Sequence, residues 1–242
     1  MKLVRPTHVI NCAAYGVDFR RQDCASAFAV NVKGAADLVK AAANAGVSRV
    51  IHIGTCSEYA SSDNPIPEDA PQRPHNLYAL SKAAGTLVAL EAGERVGIDV
   101  IVLRPFGLWG PGEPDFRVIP QVVAACQTRV PLALTECDVV RDYSFVADAA
   151  DWIVRAALAD SVGRGTIVNI GTGQPILLRD FVMAVASRLG GLDLMEFGKR
   201  SQRPNEPKSV VANVARLEGM IGPLVRTSLD DGLHAVLNER PR

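Results

Sequence analysis

Tyr78 and Lys82 open and close the run Tyr78-Ala79-Leu80-Ser81-Lys82. If residues 76–92 form a helix, the two lie on one face, one turn apart. A phenol has an ordinary pKa of about 10, so alone it is a poor proton donor or acceptor near neutrality. A neighbouring ammonium favours the phenolate and lowers that pKa, which makes a tyrosine usable as a general acid or base. The chemistry this pair points to is proton transfer to or from an oxygen.

The elements around the pair set where such chemistry would happen. Residues 8–14 (HVINCAA) read as a buried strand. Residues 23–45 carry Phe28, Val32, Ala35, Leu38, Val39 and Ala42 at helical spacing, with Gly46 as the C-cap. A second strand is expected at 49–54. A polar loop with four prolines follows at 55–74, long enough to be functional. The helix of Tyr78 then runs to Gly97, and a third apolar strand occupies 98–103. Strands apolar on both faces, alternating with helices, predict a doubly wound α/β fold with a parallel sheet. Ligands bind such sheets at the C-terminal strand ends, where residues 12–17, 55–59 and 105–112 converge.

Further on, helices are expected at 116–127, 146–158, 178–189, 214–221 and 229–237. Short strands are expected at 131–135 and 139–145, and a last core strand at 166–170. Residues 199–208 read as a polar hinge. This divides the chain into a core of residues 1–113 and a second part, 114–242, which supplies the last core strand and a small C-terminal α/β lobe.

Lys plus Arg equals Asp plus Glu, at 26 each, so no global field recruits nucleic acid or an anionic membrane. The five cysteines show no C-x-x-C pair and no metal-ligand spacing, and His8, His52, His75 and His234 form no ligand set. No metal is expected. An odd cysteine count, no signal-like start and no long apolar run point to a cytoplasmic protein. Cys56 is read as a buried, inert thiol rather than a nucleophile, and Trp109 as packing.

Six further segments, with the tyrosine pair, carry a resemblance. They are Val9-Ile10-Asn11-Cys12-Ala13-Ala14, Asn31-Val32, Gly54-Thr55-Cys56-Ser57-Glu58-Tyr59-Ala60, the run from Arg104 to Gly112, the run from Arg141 to Asp148, and Arg203-Pro204-Asn205-Glu206. In this order they resemble the signatures of the NAD-dependent epimerase/dehydratase family, the extended short-chain dehydrogenases/reductases, over nearly the whole chain. The resemblance implies a Rossmann-like sheet, NAD or NADP as cofactor, and a nucleotide-activated sugar as substrate. Thr55, Tyr78 and Lys82 would be catalytic. Thr55 would bond the reacting oxygen and Tyr78 would carry its proton. Lys82 would lower the Tyr78 pKa and hold the nicotinamide ribose. Ala13, Ala14, Pro105 and Phe106 would lie along the cofactor. Cys56, Ser57, Gly107, Arg141, Arg203 and Glu206 would meet the substrate, the arginines at its diphosphate and Glu206 at its ribose. Asn31 would be structural, and Asp148 would cap its helix or pair locally.

Three departures qualify the expectation. The family opens with a G-x-x-G-x-x-G turn that seats the cofactor diphosphate, and this chain has none. The expected fold is therefore a partial Rossmann-like sheet without its N-terminal βαβαβ portion, with strand 8–14 as an exposed edge. A piece of a longer enzyme is the preferred reading. The alternative is a short chain that completes its sheet with a second copy or another subunit. In either case dinucleotide binding is expected to be weak, and a non-catalytic homologue that binds a sugar nucleotide is the second expectation. Family dehydratases place Asp-Glu after the catalytic Thr, where this chain has Cys56 and Ser57, so reduction of a 4-keto group or epimerisation is expected rather than elimination. Finally, Gly107 stands where the family usually has Asn. The choice between NAD and NADP is not written in these residues.

Overall fold

The computed structural model describes residues 4–18, 20, 22–160, 163–202 and 206–238. In chain order they form β1 (His8–Asn11), α1 (Cys24–Phe28), a wide turn (Ala29–Lys33), α2 (Gly34–Asn44) and β2 (Arg49–Ile53). The tight turn Cys56–Glu58, α3 (Leu77–Val96), β3 (Asp99–Pro105), β4 (Gly107–Trp109) and α4 (Val118–Thr128) follow. Then come β5 (Leu132–Ala133), β6 (Val140–Arg141), β7 (Tyr143–Phe145), α5 (Val146–Leu158) and β8 (Ile167–Ile170). The chain closes with β9 (Ile176–Leu177), α6 (Leu178–Arg188), β10 (Met195–Glu196), β11 (Ser209–Val210), α7 (Ala215–Ile221) and α8 (Leu229–Leu237).

The main sheet has the order β1-β2-β3-β8 and is parallel throughout. Its two faces bury alternate residues. Val50 and Val100 pack under α2 and α3 with Val39, Ala42, Ala89 and Ala92. Ile51, Ile101 and Leu103 face the other way, onto Trp152 of α5, Val168 and Leu217 of α7. Each large aliphatic side chain among them, fully buried, is worth about 1.5–3 kcal/mol relative to exposure, which is why Val50–Ile51 and Val100–Leu103 are apolar on both faces. β1 is an edge strand among the described residues, and Ile10 on it is 39% exposed.

Helix α3 shows why the sequence predicts it well. The Asn76 side chain accepts from the Ala79 amide at 2.8 Å, and Gly97 ends the helix at φ 75°. Its buried side is built of small residues, and at Gly93 a Cβ would stand 2.3 Å from Val100 Cγ2. The helix thus lies close against β3, with the Tyr78 end at the C-terminal rim of the sheet.

The structure differs from expectation in several places. The first strand ends at Asn11, and residues 12–17 leave the sheet as irregular chain, with Gly16 at φ 92°. The helix expected over 23–45 runs from Cys24 to Asn44 but widens at Ala29–Lys33, where the Gly34 amide bonds back to Ala29 O, a π-type turn. The three-residue β4 and the two-residue β9, β10 and β11 went unpredicted, because so few residues show no period. Asp148 does not cap α5. Its carboxylate accepts from the Thr227 amide and hydroxyl, both at 2.6 Å, and so ties down the C-terminal segment.

The lobe core lies between α4, α6 and α8, where Trp109 meets Phe145 and Phe181 edge-on at 5.3 and 5.6 Å. Asp142, fully buried, joins this lobe to the sheet. Its carboxylate takes the amides of Thr172 (2.8 Å), Gly173 (2.9 Å) and Ala212 (3.2 Å).

Candidate active site

β2 ends at Ile53, and Gly54 leads into Thr55, which caps the turn Cys56–Glu58. The Ser57 amide donates to Thr55 Oγ1 at 3.3 Å, and the Glu58 carboxylate accepts from the Thr55 amide at 2.9 Å. This reciprocal cap holds Thr55 at the rim, where its side chain bears on the Tyr78 phenol. Gly16, in the segment after β1, faces Tyr78 from the other side: a Cβ there would be 3.9 Å from Tyr78 Cβ. Two of the three converging segments therefore meet on Tyr78.

The electrostatics differ from expectation. Burial pushes the Tyr78 phenol above its ordinary value, and the neighbouring Thr55 side chain offsets this in part. The other groups that bear on it are Cys56, Arg117 and Glu58. The Lys82 ammonium, 2% exposed, donates to the Ile53 carbonyl at 2.5 Å. Burial lowers the Lys82 pKa, against the raising influence of Glu58 and Cys12. An ammonium has three donors, so Lys82 with its one carbonyl can still bind hydroxyls from the rim. Ala13 and Ala14 are exposed just past β1, with the Ala13 amide donating to Asn11 Oδ1 at 3.1 Å. This strip and Lys82 fit the nicotinamide-ribose end of a dinucleotide. Pro105 is half-buried at the end of β3. Phe106 is not open to the rim through its side chain, which packs with Tyr59, Ile66 and Ala212.

Arg141 does not pair with Asp142. It bonds Glu206 at 3.0 Å and donates to the carbonyls of Val140 and Pro207 at 2.8 and 2.9 Å. The structure thus brings together two expected substrate residues, and Arg203 lies outside the described residues. Cys56 and Ser57 are half-buried beside Thr55. Burial pushes the Cys56 thiol up to about 11, with Arg141 and Arg117 pulling against it. Gly107 sits in a tight strand contact. β4 pairs with β7 there, and a Cβ at 107 would be 2.6 Å from the Asp142 carbonyl and 3.0 Å from the Tyr143 ring.

Asn31 is structural, as expected. It is 1% exposed, accepts from the Tyr15 amide (2.8 Å), and donates to Tyr15 O (2.9 Å) and Ser81 Oγ (2.8 Å). It thereby ties the segment after β1 to the residue preceding Lys82. Two residues were missed. Arg117, just before α4, bears on Tyr78, Cys56 and Tyr143 together. Glu113 lies 3.7 Å from it with a buried, unpartnered Oε2. In sequence both are ordinary charges at the end of a Gly/Pro-rich loop.

The family model of the NAD dependent epimerase/dehydratase family matches residues 1–171. The chain belongs to that family. Among curated relatives, UDP-glucose 4-epimerase of Azospirillum brasilense is 30% identical over 222 residues, 84% of this chain and 63% of its own length. The chain thus spans about two thirds or less of that relative. Among solved structures, dTDP-glucose 4,6-dehydratase of Streptomyces venezuelae with NAD bound is 27% identical, with a TM-score of 0.84 over 95% of this chain and 72% of that one. RMD of Pseudomonas aeruginosa complexed with NADPH is 26% identical, with a TM-score of 0.84 over 96% and 80%. The fold is accordingly Rossmann-type, and the cofactor of the family is NAD or NADP. No helix among the described residues is long and apolar enough to cross a membrane.

Proposed function

We propose that this chain carries the acid–base and substrate side of an NAD(P)-dependent enzyme that reduces or epimerises a nucleotide-activated sugar at its 4-position. The observation that carries the reading is the gathering at the sheet rim of the capped Thr55, which bears on the Tyr78 phenol, with Tyr78 itself and buried Lys82 one turn below it. Bound NAD(P) would supply the hydride acceptor or donor. Thr55 would hold the reacting sugar oxygen, and Tyr78, a phenol at neutral pH, would give that oxygen its proton or receive it. Lys82 would bind ribose hydroxyls from below. Arg141 and Arg117 would neutralise the diphosphate, and Glu206 would exchange part of its bond to Arg141 for the nucleoside ribose. A thiol pushed up to about 11 is uncharged at neutral pH, so Cys56 makes no acid–base partner for eliminating water. That supports reduction or epimerisation over dehydration.

The test is turnover of UDP-, dTDP- and GDP-sugars and their 4-keto forms with NAD(H) or NADP(H). Tyr78→Phe is expected to lower kcat by about 10²–10⁴-fold, the contribution of a positioned general acid or base. Undiminished turnover would overturn the assignment. A second reading is a non-catalytic nucleotide-sugar binder, which the Arg141–Glu206 pair would serve equally well. Calorimetry separates the two, since such a protein would bind a nucleotide sugar and ignore the dinucleotide.

A further inference from the structure

Behind the Thr55 turn lies an ion pair sealed from water. Glu58 and Arg104 both have side chains 0% exposed, with Arg104 Nε at 2.9 Å and Nη2 at 2.8 Å from Glu58 Oε2. The other carboxylate oxygen, Oε1, accepts from the Thr55 amide at 2.9 Å and from the Thr86 hydroxyl of α3 at 3.2 Å. The guanidinium of Arg104 lies 4.4 Å over the Tyr59 ring. The backbone is fitted to the carboxylate: at Gly54 a Cβ would fall 2.6 Å from Glu58 Oε1. A buried pair of this kind is a poor source of stability, since apolar residues of similar volume often serve as well or better. Its value has to be sought in what it holds in place.

We propose that Glu58 is a positioning residue, which fixes the Thr55 amide with one carboxylate oxygen while Arg104 on β3 anchors the other, so that the Thr55 hydroxyl is presented to Tyr78. The bond from Thr86 registers the same carboxylate against α3, the helix that carries Tyr78 and Lys82. One side chain thus sets β2, β3 and α3 relative to one another at the point where the proposed proton transfer takes place. The inference rests on the proposed function for its catalytic consequence, and not for its geometry.

Its test needs two readouts and three variants. Glu58→Gln keeps an acceptor for Thr55 but leaves Arg104 unpaired. The double variant Glu58→Leu/Arg104→Met removes both charges and should fold even where the single variant does not. Trp152→Phe, in the core on the far face of the sheet, serves as a destabilised control. Amide hydrogen exchange at Thr55 is expected to quicken at least tenfold in the double variant, beyond the change in the control compared at equal distance from its Tm. In turnover assays kcat should fall at least tenfold in the double variant while KM stays within about twofold. Thr55 exchange that merely follows Tm in all variants would overturn the proposal, as would an unchanged kcat in a folded double variant. Exchange requires no substrate, so an inactive parent chain would count against the proposed function alone.

Discussion

Gly85 of α3 lies directly against the backbone of Asn31: a Cβ at position 85 would stand 2.1 Å from the Asn31 carbonyl oxygen. The carbonyl reaches out because the chain widens by one residue at Ala29–Lys33, and the same widening turns the Asn31 side chain toward Tyr15 and Ser81. Gly85→Ala should therefore cost about 3 kcal/mol or more, the upper end of overpacking penalties, although alanine is the better helix former. Denaturant unfolding would measure it, and a neutral or stabilising result would contradict the packing described.

Glu113 predicts a pH dependence. Burial raises its carboxyl from an ordinary 4.5 to about 7, against the pull of Arg117 and the Gly110 amide. A raised carboxyl binds its proton more tightly folded than unfolded, so its contribution to stability is complete below pH 4.5 and lost as the pH rises through 7. At about 1.4 kcal/mol per unit, that loss is on the order of 3 kcal/mol. Glu113→Gln, which cannot ionise, should raise Tm at pH 8 and leave it nearly unchanged near pH 4. Tm profiles of the two proteins that run parallel from pH 4 to 8 would refute this.

The thiols should sort by environment. Cys12 and Cys24 are exposed, whereas burial pushes up the Cys56, Cys126 and Cys137 thiols. A disulfide reagent at pH 8 should titrate two thiols rapidly and the remaining three only after unfolding. Rapid loss of Cys56, identified by peptide mapping, would show that the Thr55 turn is more open than described.

Arg141 offers a test on the substrate side. Replacing it by Leu removes a charge-assisted contact worth about 1.5–3 kcal/mol, so nucleotide-sugar affinity should fall roughly 10–150-fold. Arg141→Lys should restore only part of this, because an ammonium lacks the planar fork. Calorimetry at fixed salt would measure both, and unchanged affinity in the Leu variant would place the diphosphate elsewhere.

The sequence shows α3 clearly because its cap, its length and its closing glycine all agree, and it shows β2 and β3 because strands covered on both faces are mostly apolar at their centres. The rim segments follow from those elements by topology alone. The details that depend on distant contacts are another matter. Gly107 reads as a lost substrate residue, yet the reason for glycine is the Asp142 carbonyl, 35 residues on. Lys82 has the right spacing to bear on Tyr78, but its bond to the Ile53 carbonyl depends on a strand 29 residues back. Arg141 and Asp142 are neighbours in sequence and serve separate tasks, one held by Glu206 and the other by the amides of Thr172, Gly173 and Ala212. Short strands such as β9 and β11 exist only because β6 lies between them.

The register of the main sheet carries a consequence for how the molecule comes to be made. β3 pairs with β8 through Val102↔Ile167 and Leu103↔Val168, partners 65 residues apart. While the chain emerges from the ribosome, β1, β2 and β3 can assemble in turn, but one flank of β3 stays bare through synthesis of the whole intervening stretch. Parallel pairing at such separation is slow, because loop closure precedes any reward. For that interval β3, one of the most apolar strands in the protein, is the segment in greatest need of a chaperone.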